Sequence, residues 1–281
     1  MIQPDLVRAY RAEPVVQSYG AKDVILYALG VGARAGEEDL HYVYEKALVP
    51  LPTFAVVLAR ETFWLNEPRF GIDVSKLLHG EQRLEIHAPL PASGRVRGQL
   101  EVEALHDKGE GRGALLVMKR SISDAETGAP LATVRITSFL RANGGFGGDS
   151  AGAAVPHILP ERAPDLSVAM PTSPEQALLY RLSGDYNPIH VDRDVAAKAG
   201  FPGPILHGLC TYGIACRAVL RGVCGDDPAR LRRFDARFSS PVYPGDEIVT
   251  DIWREGDTIS FRSRVPARDA LVLNNGLALL A

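Results

Sequence analysis

Cysteine is scarce in this chain of 281 residues: there are three, Cys210, Cys216 and Cys224, all within fifteen positions. So few, in odd number, exclude a disulfide framework. No C-x-x-C spacing accompanies them, so zinc held with His207 is disfavoured and no metal is expected; they read as buried structural thiols on a helix. Charge of one sign is equally scarce. A formal net charge of −3 leaves no basic surplus, which argues against nucleic acid or an anionic membrane as partner. An anionic ligand would have to be met by local basic groups. No apolar run reaches transmembrane length. Met1-Ile2-Gln3-Pro4-Asp5 lacks the regions of a signal peptide, and Ala278-Leu279-Leu280-Ala281 is no peroxisomal tripeptide, so a cytoplasmic location is expected.

What is present fits a globular protein with a sizeable core: 46% hydrophobic and 23% charged residues. The sharpest break in composition is Asn143-Gly144-Gly145-Phe146-Gly147-Gly148-Asp149-Ser150-Ala151-Gly152. Five glycines there cannot sit cheaply in a regular element, so 143–155 reads as a linker between domains 1–145 and 156–281. Both halves follow one order: a first helix, a loop, a longer apolar helix, then strands. Ala21 to Leu29 aligns without a gap on Pro174 to Leu182 at an offset of 153, pairing Leu26 with Leu179, Tyr27 with Tyr180 and Leu29 with Leu182. A duplication is the expectation. Ser173-Pro174-Glu175-Gln176 supplies an N-cap, a proline at the first helical position and a capping-box glutamine.

Alternating apolar residues predict strands at Gln99–Leu105, Ala114–Arg120, Ala132–Phe139, Phe234–Phe238, Glu247–Trp253, Ile259–Arg262 and Ala270–Leu273, with a turn at Pro244-Gly245. Strands that follow a central helix predict an α+β fold, an antiparallel sheet wrapped round that helix.

The chemistry is concentrated in Tyr180-Arg181-Leu182-Ser183-Gly184-Asp185-Tyr186-Asn187-Pro188-Ile189-His190. Ser183-Gly184 ends a helix, and Pro188 pushes Asn187 towards extended geometry. An acid and an imidazole joined by such a turn can face one cavity, with the Asn187 amide holding the carboxylate or a water. Downstream, Phe201 to Pro204 breaks a helix and another starts near His207-Gly208. Its first turn offers free N–H groups, and Gly208 lets a ligand approach the backbone.

Leu182 to His190, with Pro204-Ile205-Leu206-His207-Gly208 downstream, resembles the hydratase 2 motif of the MaoC-like family. That family includes the hydratase 2 unit of the peroxisomal multifunctional enzyme and the bacterial R-specific enoyl-CoA hydratases. Arg237-Phe238-Ser239-Ser240-Pro241-Val242-Tyr243-Pro244-Gly245-Asp246 resembles its late strand and turn, so the likeness covers nearly the whole chain. It implies a double hot dog, two antiparallel sheets each wrapped round a long helix. It also implies a (3R)-specific 2-enoyl-CoA hydratase that adds water to a trans-2-enoyl-CoA without cofactor or metal.

Residue by residue, the resemblance makes Asp185 and His190 the acid–base pair, Asn187 their positioning partner and Gly208 the N–H donor to the thioester oxygen. It puts Phe238, with Tyr186, Pro188 and Ile189, along the acyl-CoA site, and His79, Gly80 and Lys108 of the first half at the CoA part. Hot-dog units pair, so a homodimer is implied too. At the offset of 153, Gly32, Arg34 and Glu37 stand where Asp185, Asn187 and His190 stand. The first half therefore lacks the pair, which leaves room for a bulky acyl tail, chain-like or steroid-like. Two other readings remain: a hot-dog acyl-CoA thioesterase, and a non-catalytic acyl-CoA binding subunit.

Overall fold

A computed structural model describes residues 1–36, 38–148 and 155–281. Among the described residues there are six α-helices: α1 (Pro4–Arg8), α2 (Ala21–Gly30), α3 (Leu40–Val43), α4 (Gln176–Tyr180), α5 (Arg193–Lys198) and α6 (Gly208–Val219). The first half contributes β1 (Val15–Tyr19), β2 (Leu77–Ile86), β3 (Gly94–Asp107), β4 (Ala114–Asp124) and β5 (Pro130–Leu140). The second contributes β6 (Leu166–Pro171), β7 (Leu231–Phe238), β8 (Glu247–Glu255), β9 (Thr258–Val265) and β10 (Ala270–Leu280). All seven predicted strand segments lie within these. In β4 the burial alternates from Ala114 through Ile122, so one face can go to the core and the other to solvent.

The strands join in one sheet, in the order β1-β3-β4-β5-β2-β7-β10-β9-β8-β6. Read outward from its middle, each half repeats the same order, with the second strand of each half innermost. These two strands, β2 and β7, pair antiparallel with Arg83 opposite Asp235, residues 152 apart in sequence. Equivalent positions thus face each other across a local twofold axis, which is how two hot dogs fuse through their edges. The fold is a double hot dog in which the two expected sheets are continuous, so neither half exposes an inner sheet edge.

Among the described residues the long central helix exists in one half only. α6 is apolar or small almost throughout and is buried from Cys210 to Val219, as an all-round apolar helix must be. A Cβ on Gly213 would come within 2.5 Å of Val31, so glycine allows the close approach between α6 and the end of α2. All three cysteines are free and buried, Cys210 and Cys216 on α6 and Cys224 in the turn that continues it. In the first half the expected long helix is a short 3-10 stretch, Pro52–Val57. Two prolines at its start and the β-branched Val56-Val57 explain the difference. The main core runs through both halves, while a second cluster including Val7, Trp64, Leu100 and Leu116 belongs to the first half.

Two local expectations are corrected. α4 starts at Gln176 rather than Pro174, and its N-cap is Glu175, with no side-chain cap from Ser173. The Gln176 side chain does accept from the Ser173 N–H at 3.4 Å, as a capping-box glutamine would, and its amide also donates to the carbonyls of Leu29 and Gly30, closing the end of α2 across the halves. The start of the glycine-rich stretch is also pinned. Asn143 is buried and bonded to Asp73 and Gly71, and Asp107 accepts from the N–H groups of Gly145 and Gly147. Residues 149–154 of the expected linker, and Glu37, lie outside the described residues.

Candidate active site

Helix α4 runs into a 3-10 turn, Arg181–Ser183, which Gly184 ends in the left-handed region at φ +108°. Asp185 follows at once. The Asn187 main-chain N–H lies 3.3 Å from an Asp185 carboxylate oxygen, and the Asn187 side chain accepts from Ile189 N at 3.2 Å. Asn187 therefore positions by capping the turn Pro188–His190, and its backbone, not its amide group, meets the carboxylate. Pro188 presets the turn and Ile189 lies inside it. Tyr186 is exposed, with the Arg181 guanidinium 4.9 Å from its ring centre.

The turn delivers His190 into a nearly closed space. Its Nδ1 donates to the Ile205 carbonyl at 2.8 Å; a carbonyl only accepts, so Nε2 is left as a bare acceptor. Burial pushes the His190 pKa below the usual value of 6.5, against the opposing pull of the Ile205 bond and of Asp185. The ring is neutral at pH 7.

Gly208 is the first residue of α6, so its N–H has no partner within the helix. A Cβ there would lie 3.2 Å from the Phe238 ring, so any larger residue would crowd the ring that walls this opening. Phe238 in turn lies 4.7 Å from His79, centre to centre. His79 and Gly80 sit on β2 at a bulge opposite β5, which lets the innermost first-half strand turn the imidazole towards the second half. The His79 Nε2 is buried without a partner. Its pKa is pushed down to about 4, chiefly by burial, and the nearby Asp185 charge opposes this. His79, Gly80, Asp185, Asn187, His190, Gly208 and Phe238 thus come together across the two halves.

Lys108 is not brought to them by any contact among the described residues. It is exposed in the turn after β3, three strand spacings from β2, on the order of 14 Å sideways.

Sequence reasoning left one neighbour out of the site. His207, the N-cap of α6, is buried, with its ring stacked on His190 at 3.6 Å between centres. The only sign of it in the sequence is its place just before Gly208; the stacking depends on the fold. Ligand atoms of Asp185, His190 and His207 lie within 4.8 Å of one another. Stacked imidazoles, however, send their lone pairs side by side rather than towards one point. That geometry suits two rings held in register better than a metal chelate.

The chain is thus a double hot dog with an acid, a neutral imidazole and a helix N-terminus at the seam between its halves. Residues 157–275 match the MaoC like domain and residues 17–142 the MFE-2 hydratase 2 N-terminal domain. The chain is 40% identical over 288 residues to the enoyl-CoA hydratase ChsH3 of Mycobacterium tuberculosis, covering 99% of each. It is 38% identical to the peroxisomal enoyl-CoA hydratase 2 of Arabidopsis thaliana, over 96% of this chain and 93% of that one. The crystal structure of a MaoC-like dehydratase from Phytophthora capsici superposes with a TM-score of 0.87 at 34% identity, covering 99% of this chain and 98% of that one. This chain belongs to the MaoC-like hydratase 2 family.

Proposed function

We propose that the chain catalyses the reversible addition of water to a trans-2-enoyl-CoA, giving a (3R)-3-hydroxyacyl-CoA, with Asp185 and His190 as its acid–base pair. The observation that carries this is the bare Nε2 of a neutral His190 beside the Asp185 carboxylate, next to the free N–H of Gly208. A water held by the pair gives up a proton as its oxygen attacks Cβ, and Cα takes a proton on the same face. Charge grows on the thioester oxygen, where the Gly208 N–H and the positive end of α6 stabilise it. The roles of acid and base are assigned to the pair and not to either member singly. Water addition consumes no oxidant or reductant, so the reaction calls for no cofactor. The names of the full-length relatives, enoyl-CoA hydratases among them, support the same chemistry.

Crotonyl-CoA and a longer enoyl-CoA provide the test. Loss of the conjugated absorbance, with chiral analysis giving the (3R) alcohol, is the expected result. Release of free CoA thiol would identify a thioesterase, and binding without turnover a non-catalytic subunit; either would overturn the proposal.

His79 and Gly80 are proposed to meet the CoA part, with Lys108 reaching its phosphates from the hairpin and Tyr186, Pro188, Ile189 and Phe238 along the acyl path. At low ionic strength, Lys108→Ala is expected to raise KM for an enoyl-CoA more than it lowers kcat, because it removes uniform binding. Added salt should shrink the difference, as for any exposed charge. An unchanged KM would make Lys108 a solvated surface residue.

The division into domains at 1–145 and 156–281, the homodimer and the cytoplasmic location are also proposals. No helix among the described residues is long and apolar enough to cross a membrane. Leu178 and Leu182, exposed on and just after α4, supply apolar surface that a second copy could cover, and light scattering would measure the mass.

A further inference from the structure

We propose that His207 is a positioning residue of this site: its ring shields His190 from water, and its Nε2–H tethers the backbone of Asp185. The inference rests on the acid–base reading of Asp185 and His190 given above. His207 Nε2 lies 3.1 Å from the main-chain carbonyl of Asp185. That carbonyl only accepts, so Nε2 carries the hydrogen; Nδ1 of the neutral ring is then bare, and it is buried without a partner. The ring is held between Tyr180, 4.9 Å away, and His190, 3.6 Å away. Its own pKa is pushed down to about 4 by burial first and the neighbouring His190 second, so it keeps its hydrogen on Nε2 through neutral pH.

One residue therefore touches three parts of the site. Its side chain holds the loop that carries the acid. Its face covers the imidazole. Its backbone, as N-cap of α6, leads directly into Gly208, whose N–H is the proposed donor to the thioester oxygen. The charged and titratable groups around it are Asp185 and Arg181 from the turn after α4, Tyr180 from α4 itself and His190 from the turn beyond. Those around His190 are Asp185 and the stacked His207, with the Ile205 carbonyl on its Nδ1. A charged His207 would sit against His190 and oppose its protonation; a neutral one acts only by excluding water and holding Asp185.

The two roles separate in two variants. His207→Phe keeps a flat ring over His190 and loses the tether. His207→Gln keeps a donor near the position of Nε2 and loses the ring. Imidazole NMR titration of His190, with kcat/KM against pH for crotonyl-CoA, reads both. In His207→Phe the His190 midpoint is expected to stay below 6.5 while kcat falls roughly tenfold, the order of one lost hydrogen bond at the reacting pair. In His207→Gln most of kcat is expected to remain, and the His190 midpoint rises towards 6.5 as water reaches the ring.

A midpoint unchanged in both variants, or kcat lost equally in both with no change of midpoint, would reduce His207 to a packing residue and overturn the proposal. The NMR midpoint needs no turnover, so it judges the shielding even if the chain proves to be no hydratase. That second failure would show separately, as an inactive wild type. His207→Leu, checked for folding by its melting curve, replaces either variant that does not fold; it lacks both ring and donor, so both changes are expected together.

Discussion

Asp185→Asn and His190→Ala are each expected to lower hydratase turnover at least about a hundredfold while leaving the protein folded, the usual loss when a positioned acid–base group is removed. Asp185 is half-buried, and its carboxylate receives only the 3.3 Å contact from Asn187 N among the described hydrogen bonds, so the amide variant should retain the loop. His190 packs against His207 and bonds Ile205, so its alanine variant leaves a small cavity and one unmet carbonyl, which costs stability but not the fold. The pH profile adds a signature. Burial lowers the His190 pKa below 6.5, so the neutral form persists below that pH. The acid limb of kcat/KM in the wild type is therefore expected below pH 6.5, with activity lost as pH falls through the lowered value. A folded His190→Ala that kept near-wild-type activity, or that kept this same limb, would remove His190 from the pair; full activity in folded Asp185→Asn would do the same for Asp185.

Why the grouping of Asp185, Asn187 and His190 could be read from sequence while other parts could not is a matter of range. Asp185, Asn187 and His190 are held by one short turn whose geometry is set by Gly184 and Pro188, residues with restricted or special backbone preferences, so their grouping is local. The alternating strands were equally legible, because period-2 burial is written into each segment. β1 and β6, at the outer edges of the sheet, and β2, at its middle, were not predicted as strands. β2 carries Gly80 at a bulge and a run of polar residues, His79, Glu81, Gln82 and Arg83, which no simple alternation describes. Its role depends on pairing with β7 from the far half of the chain. The first-half helix was the opposite error: symmetry with α6 suggested it, but Pro50 and Pro52 argue locally against it, and the local chemistry won. His207 shows the same limit at the site, since a ring stacked on another 17 positions away in the chain has no local signature.

Asp39→Ala is expected to destabilise the protein by about 3–5 kcal/mol, the range for breaking a buried ion pair and stranding its partner. Asp39 follows α2 in the first half, and its carboxylate accepts two hydrogen bonds from Arg217 of α6, at 2.6 and 2.7 Å, and one from Arg221 at 2.9 Å. The side chains of Asp39 and Arg217 are only 8% and 4% exposed, so the guanidinium left behind could not simply turn into water. Arg217 also donates to the Val31 carbonyl, and one of its nitrogens lies 3.4 Å from where a Cβ on Gly32 would be. Gly32 is the counterpart of Asp185 at the offset of 153. The region of the first half that corresponds to Asp185 is thus held by an arginine from the second half, in a bond that ties α6 to the end of α2 and cross-links the halves. Urea denaturation of Asp39→Ala against wild type measures the cost, and a loss under about 1 kcal/mol would mean that the ion pair is no better than an exposed one. Replacing both partners, Asp39→Leu with Arg217→Met, should recover much of the loss, because no charge is then left buried alone. Recovery of stability with kcat near wild type would identify the pair as a fastener of α6; a stable double variant with kcat lowered severalfold would show that the fastener also sets where the N-terminus of α6, and with it Gly208, stands.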